Sequence, residues 1–137
     1  MKSLKVILVD DNKTFREAFK TLLESQYNAT IIGEASSASE FLALNVHSKT
    51  DIIFMDIMMP DIDGITVTKK ALWNNDGLLF IAVTMHNDSV YLRSLIEAGF
   101  VGCIFKNNLF AELPLALATI LNGKRYFPKN ILLDETL

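Results

Sequence analysis

The chain predicts an α/β fold, a parallel sheet covered by helices on both faces, and three observations carry that expectation. Short apolar runs of strand length alternate with segments of helical period from one end to the other, which is the pattern of successive βα units. The runs Ile52-Ile53-Phe54-Met55 and Leu78 to Val83 show no polar alternation, as strands buried on both faces should. Polar residues follow these runs immediately, and right-handed crossovers place all strand carboxyl ends along a single edge of a parallel sheet. Ligands bind at that edge in open α/β folds.

In order, Leu4 to Val9 is the first strand, ending in Asp10-Asp11. Asn12 can cap the next helix, whose apolar residues Phe15, Ala18, Phe19, Leu22 and Leu23 fall on one helical face. Thr30 to Ala35 reads as the second strand. Ser36, Ser37 or Ser39 then starts a helix running to about Val46, with Phe41, Leu42 and Leu44 as its apolar members. The third strand, Ile52 to Met55, stops at Asp56 and a turn. Gly64 leads into a helix from Ile65 to about Trp73, closed by the turn signal Asn74-Asn75-Asp76-Gly77. Leu78 to Val83 is the fourth strand, ending at Thr84, and Asn87, Asp88 and Ser89 offer caps for a helix to Ala98-Gly99. Gly102 to Phe105 is the last strand, stopped by Lys106. Asn107-Asn108 precedes a final apolar helix to about Leu121, in which Pro114 is expected only within the first turn.

A chain of 137 residues, 50% hydrophobic and 21% charged, is of single-domain size and globular rather than disordered, with no low-complexity tract or repeat. Its longest uncharged apolar stretches, such as Leu113 to Leu121, are too short to span a bilayer. The opening MKSLKVILVDD has lysines before an apolar run, but Val6 to Val9 is too short for a signal peptide and no small-residue cleavage site follows. It reads as the first strand of a cytoplasmic protein. Cys103 is the only cysteine, which excludes an internal disulfide and a multi-cysteine metal site, and gives it a packing role. A net charge of −3 argues against direct binding of nucleic acid through phosphates by this domain.

The polar residues of the sheet edge define the candidate site. Strand one delivers Asp10 and Asp11, strand three Asp56, strand four Thr84 and strand five Lys106. Taken singly, each has a plainer role: turn or cap for Asp56 and Thr84, a solvated helix start for Asp10 and Asp11, a surface lysine for Lys106. Together, three converging carboxylates repel one another unless a cation joins them. All-oxygen ligands with no cysteine beside them select a hard ion, and Mg²⁺ fits. A cation, an ammonium and a hydroxyl around one free carboxylate suit an oxygen-rich dianion, so Asp56 reads as a nucleophile that forms an aspartyl phosphate.

The segments VDD at Asp10-Asp11, MDIMMPDIDG around Asp56, Val83-Thr84 and AGFVGCIFK ending at Lys106 resemble the receiver domain of two-component response regulators, over essentially the whole chain. The resemblance implies a flavodoxin-like sheet of five parallel strands in order 2-1-3-4-5. It implies phosphorylation of Asp56 by a histidine kinase or phosphotransfer protein, with Mg²⁺ held by Asp11, Asp56 and the Met58 backbone carbonyl, and Asp10 assisting through water. Thr84 would turn toward the phosphoryl group and Lys106 would pair with it, and the domain would catalyse nothing beyond its own phosphorylation and dephosphorylation. The final helix and NGKRYFPKNI are similar to receivers of LuxR/NarL-type regulators, which carry a C-terminal helix-turn-helix DNA-binding domain. Residues 1–125 are then the receiver and residues 126–137 a tail or the start of a linker. The sequence leaves open whether the chain is part of a longer regulator or a single-domain protein. The final helix is also a candidate homodimer surface, with core packing as its other role.

Three departures from the family bear on mechanism. Cys103 stands where an aromatic usually sits three residues before the lysine, leaving Phe105 or Phe100 as candidate substitutes. Asn107 follows the lysine, where the family often has proline. Met58 and His86 flank the site at positions that tune phosphoryl lifetime in the family, and they are expected to do so here. Two rival functions follow from the residues. Asp61-Ile62-Asp63-Gly64 imitates the DxDG nucleophile of haloacid-dehalogenase-like phosphatases, but Pro60 precedes Asp61 where that motif needs a strand. A phosphorylation-independent pseudo-receiver, an interaction module only, is opposed by the intact set of Asp10, Asp11, Asp56, Thr84 and Lys106.

Overall fold

Alternate residues of each strand face opposite sides of a single sheet, and both sides are apolar in this chain. A computed structural model describes residues 3–45, 49–85 and 89–128, leaving out the side chains of Ser89 to Tyr91. Its elements are β1 (Leu4–Val9), α1 (Lys13–Gln26), β2 (Ala29–Ala35), α2 (Ala38–Ala43), β3 (Ile52–Met55), α3 (Gly64–Asn74), β4 (Phe80–Thr84), α4 (Ser89–Ala98), β5 (Gly102–Phe105) and α5 (Leu109–Leu121), with a 3₁₀ turn at Lys106–Asn108. The strands are all parallel, in the order β2-β1-β3-β4-β5, which is the flavodoxin-like topology expected above.

The two-residue period of the strands divides the core in two. Ile7, Val9, Ile53, Met55, Phe80, Ala82 and Cys103 pack with Phe41 of α2, Val67 and Ala71 of α3 and Leu92 and Leu95 of α4. Val6, Leu8, Ile52, Phe54, Ile81, Val83 and Ile104 pack with Phe19 and Leu23 of α1 and Leu113 and Leu117 of α5. Phe80 is met edge-on by Phe41 and Phe100, with ring centroids 5.9 and 6.1 Å away, a favourable aromatic geometry. Burial on both faces explains why these strands read as continuous apolar runs.

The starts of α1 and α2 follow the cap chemistry, whereas Asn108 makes no side-chain cap bond at α5 and the candidate caps Asn87 and Asp88 lie outside the described residues. The Asn12 side chain accepts from the Phe15 amide at 3.0 Å and Ser37 accepts from the Glu40 amide at 3.1 Å. Differences from the sequence expectation sit at element ends. The second strand begins one residue early, at Ala29, after Asn28 turns the chain with φ of 51°. The fourth strand begins at Phe80 rather than Leu78, because Leu78 still belongs to the turn, its amide donating to the Asn75 carbonyl at 3.4 Å. Helix α2 stops at Ala43, short of the expected end; Leu44 is already extended (φ −70°, ψ 137°) and packs against the core. Val46 itself lies outside the described residues.

Pro114 corrects a second expectation. It is the sixth residue of α5, in its second turn, not in the first. It lies on the exposed face, and so does Phe110, whose carbonyl would have received the missing amide proton. Water can serve that carbonyl, which limits the penalty for proline inside a helix. Beyond α5, Gly123 (φ 85°) reverses the chain and Tyr126 forms a short parallel bridge with Gly102. The Tyr126 amide donates to the Val101 carbonyl and the Cys103 amide to the Tyr126 carbonyl, each at 3.0 Å. Among the described residues no helix is long and apolar enough to cross a membrane.

Candidate functional site

The site forms where β1, β3, β4 and β5 end together. Asp10 and Asp56 are the first residues past β1 and β3, and register places them side by side, with the Asp56 amide donating to the Val9 carbonyl at 2.9 Å. Both carboxylates are buried while Asp11 is exposed, and oxygens from all three lie within 4.8 Å of one another. Lys106, largely buried at the end of β5, places its Nζ 2.8 Å from Asp10 Oδ2 and 3.6 Å from Asp56 Oδ2. The same ammonium sits 4.3 Å from the centroid of the Phe15 ring, a cation–π contact that fixes its approach. Thr84 is the buried last residue of β4, paired in register with Phe105 of β5.

The two buried carboxylates are not equivalent. Every polar atom of Asp10 is engaged. Its amide donates to the Ala35 carbonyl at 3.0 Å, its carbonyl accepts from Arg16 Nη1 at 2.5 Å, Oδ1 accepts from the Asn12 amide at 2.8 Å and Oδ2 meets Lys106. On the Asp56 carboxylate, Oδ1 accepts from the Met58 amide at 3.1 Å and Oδ2 lies at the longer distance of 3.6 Å from Lys106 Nζ. Burial first, and then the negative charge of Asp10, push the Asp56 carboxyl up to about 6, against the Met58 amide and Lys106, which favour the charged form; Asp11 adds to the rise. A cluster of three oxygen donors with more negative than positive charge fits a hard divalent cation such as Mg²⁺.

The other residues singled out in the sequence fall around this centre or away from it. Met58 is half exposed on the β3–α3 loop. Cys103 is fully buried in the core on the side of α2, α3 and α4, and Phe100 and Phe105 are buried in the same cluster. His86 lies outside the described residues. The DxDG string is not a nucleophile motif in this fold. Asp61 reaches across to the start of α2, accepting from the Ala38 and Ser39 amides at 3.1 and 3.0 Å and from the Ser39 hydroxyl at 2.9 Å. Asp63 caps α3 through the Thr66 amide at 2.9 Å.

Three participants escape a reading of the sequence. Gly64 permits the close approach of α3 to the strand end: a Cβ there would lie 2.1 Å from the Asp56 carbonyl oxygen and 2.8 Å from Ile57 Cα. Its signal was the Asp-Gly pair, which reads equally as an ordinary turn. Phe15 and Arg16 looked like members of an amphipathic helix, and nothing in the spacing marks them as neighbours of Lys106 and Asp10.

Comparison with known proteins agrees with this geometry. The family model described as the response regulator receiver domain matches residues 6–118. The response regulator GacA of Pseudomonas syringae is 30% identical over 128 residues, 93% of this chain and 60% of that protein. The transcriptional regulatory protein LiaR of Bacillus subtilis is 32% identical over 121 residues, 88% of this chain and 57% of that protein. The chain thus spans about three fifths of the length of these relatives. Among solved structures, a LuxR-family two-component response regulator from Aurantimonas superposes with a TM-score of 0.87 at 30% identity, covering 95% of this chain and 93% of that one. The isolated receiver domain of RcsB from Salmonella enterica, solved with a phosphomimetic, superposes with a TM-score of 0.82 at 25% identity, covering 95% and 96%.

Proposed function

The chain belongs to the response regulator receiver domain family of two-component signalling, and on that premise we propose that Asp56 accepts a phosphoryl group from a histidine kinase or phosphotransfer protein. A receiver is not a conventional enzyme, and the reaction is one turnover on its own side chain. The Asp56 carboxylate oxygen attacks the phosphorus of a phosphohistidine, the O–P bond forms as the P–N bond breaks, and the released imidazole recovers its proton from solvent. Asp11, Asp56 and the Met58 carbonyl would hold Mg²⁺, with Asp10 assisting through water, and the ion would supply neutralisation of the charge on the transferring group. Lys106 moves its ammonium toward the phosphoryl oxygens and Thr84 turns its hydroxyl to donate to them.

The observation that carries this reading is the asymmetry between the two buried carboxylates. Asp10 is saturated with partners, whereas among the described residues Asp56 Oδ2 has a single, longer ionic contact, to Lys106 at 3.6 Å. Phosphorylation adds roughly two negative charges at pH 7, and the new contacts bias a two-state equilibrium of the loops after β4 and β5 and of α4. The altered surface changes a protein contact in the cytoplasm. The output this reading favours is transcription, which a receiver of residues 1–125 with a linker or tail of residues 126–137 would exert through a DNA-binding domain if it is part of a longer regulator, a single-domain protein being the other case. The named functions of relatives support this, since LiaR is a transcriptional regulatory protein and RcsB dimers bind DNA. Homodimerisation through the exposed apolar side of α5, where Phe110, Leu115 and Leu121 lie, fits the same output.

The test is intact mass after incubation with a small phosphodonor and Mg²⁺, beside Asp56→Ala and a chelator. Gain of one phosphoryl group that needs both Asp56 and the metal is expected. No gain under any condition would leave a phosphorylation-independent interaction module. Met58 and His86 set the lifetime of the phosphoryl group, and unchanged dephosphorylation in Met58→Asn and His86→Ala variants would refute that role.

A further inference from the structure

Behind the acidic cluster lies a second, outward-facing set of charges that phosphotransfer does not use directly. Arg16 on the first turn of α1 is largely buried, its side chain 14% exposed. One guanidinium makes two contacts in different directions: Nη1 donates to the Asp10 carbonyl at 2.5 Å and Nε to Glu34 Oε1 on β2 at 3.1 Å. Glu34 is in turn held by Lys20 one turn further along α1, at 3.1 Å. Arg16 also lines, with Asp10, Asp56, Phe15, Phe54 and Val83, a cavity of about 10 Å³ beneath the site. That space is barely the size of one water.

We propose that Arg16, oriented by Glu34, is a positioning residue for the metal site. The Asp10 carbonyl belongs to the peptide plane that carries the Asp11 amide. Fixing that oxygen from α1, while the Asp10 amide is fixed from β2 through Ala35, sets the plane from which Asp11 projects. Asp11 is the exposed member of the cluster, on a turn between β1 and α1. Without the Arg16 contact, ordering Asp11 would have to be done by the cation itself, at the expense of its affinity. A lysine could satisfy the carbonyl or Glu34 but lacks the rigid fork that serves both. This inference rests on the reading of Asp10, Asp11 and Asp56 as the cation site.

The experiment is titration calorimetry of Mg²⁺ into the full chain without phosphodonor, for wild type, Arg16→Lys and Glu34→Gln, with metal-free unfolding run in parallel. Arg16→Lys is expected to weaken Mg²⁺ binding about tenfold, the usual size of an outer-sphere effect. At saturating Mg²⁺ its phosphorylation rate should return to within about twofold of wild type, the signature of lost ground-state ordering rather than lost chemistry. Glu34→Gln keeps an acceptor for Nε but loses the ionic hold on the guanidinium, so it should weaken Mg²⁺ binding by a smaller factor than Arg16→Lys, and it stands in if Arg16→Lys does not fold. Unchanged Mg²⁺ affinity in these variants, whatever happens to stability, would overturn the proposal. A wild type that binds Mg²⁺ but gains no phosphoryl group would sink the phosphoacceptor reading and leave the affinity comparison decisive.

Discussion

Asp10 and Asp56 carry the same side chain on adjacent strand ends, and the surroundings of Asp56 resist its ionisation. Burial and the Asp10 charge raise its carboxyl from 3.8 to about 6. A group that binds its proton more tightly when folded contributes stability that is full below about pH 3.8 and is lost as pH rises through about 6. In the presence of a chelator the folded state should therefore weaken between pH 4 and 7 at this site, by no more than about 3 kcal/mol. Asp56→Asn should remove that dependence and stabilise the metal-free protein at pH 7, Lys106 keeping its contact with Asp10; Mg²⁺ should reverse the order of the two proteins. Urea unfolding midpoints at pH 5 and 7, with and without Mg²⁺, decide this, and a less stable Asp56→Asn without metal would contradict it. Cys103 makes a simpler case. Burial pushes its thiol up to about 12, so almost no thiolate forms at neutral pH, and a disulfide reagent should modify it only as fast as the protein unfolds. Rapid labelling of the native chain would show that β5 opens locally.

The element that sets the site geometry is the β3–α3 connection. Asp56 is delivered by a strand of four residues, and the loop after it is clamped where the Gly64 amide donates to the Ile57 carbonyl at 3.0 Å. The neighbour that a side chain at position 64 would strike is backbone, which cannot swing aside. Gly64→Ala should therefore exceed the usual 1–3 kcal/mol cost of overpacking, losing roughly 3 kcal/mol or more, and should slow phosphorylation because Asp56 itself must shift. A denaturant midpoint within error of wild type would refute this. The connection also shows why some residues were legible in the sequence and others were not. An apolar run that stops at a carboxylate carries its own meaning, so Asp10, Asp56 and Lys106 could be placed at strand ends from local pattern alone. The partners of Asp61 are 22 and 23 residues away, and no local pattern encodes a cap supplied from another loop. Arg16 is hidden for the same reason, since its contacts to Asp10 and Glu34 exist only once β1, β2 and α1 are assembled. Pro114 misled in the opposite direction: its local rule was right, but the exposed side of α5 relaxes the penalty.

Taken as a whole molecule, the sheet does not end where the fifth βα unit ends. Chain following α5 returns to the free edge of β5, and both hydrogen bonds of Tyr126 with that edge are made by backbone. Gly102 is shaped for this contact, because a Cβ there would lie 2.9 Å from the Tyr126 carbonyl oxygen and 2.8 Å from Ile120 Cδ1. The Tyr126 hydroxyl donates to Glu112 Oε1 of α5 at 2.7 Å, and Phe127 packs on the opposite core, so the segment ties both faces of the sheet together. Covering an edge strand in this way also removes a row of unpaired groups that invites association. A chain ended after Arg125 should then be less stable than one ended after Pro128 by about 2–4 kcal/mol, from two backbone hydrogen bonds, one side-chain bond and buried aromatic surface. The loss should fall on β5 in particular. Hydrogen exchange at the Cys103 amide, bonded to Tyr126, should accelerate far more than at amides of β1 and β3 in the centre of the sheet. Because Lys106 directly follows β5, three residues after Cys103, the shortened chain should also hold its ammonium less firmly between Asp10 and Phe15. Equal stability of the two chains, with equal protection at Cys103, would show that the segment merely rests on the edge and that β5 is held by β4 and α5 alone.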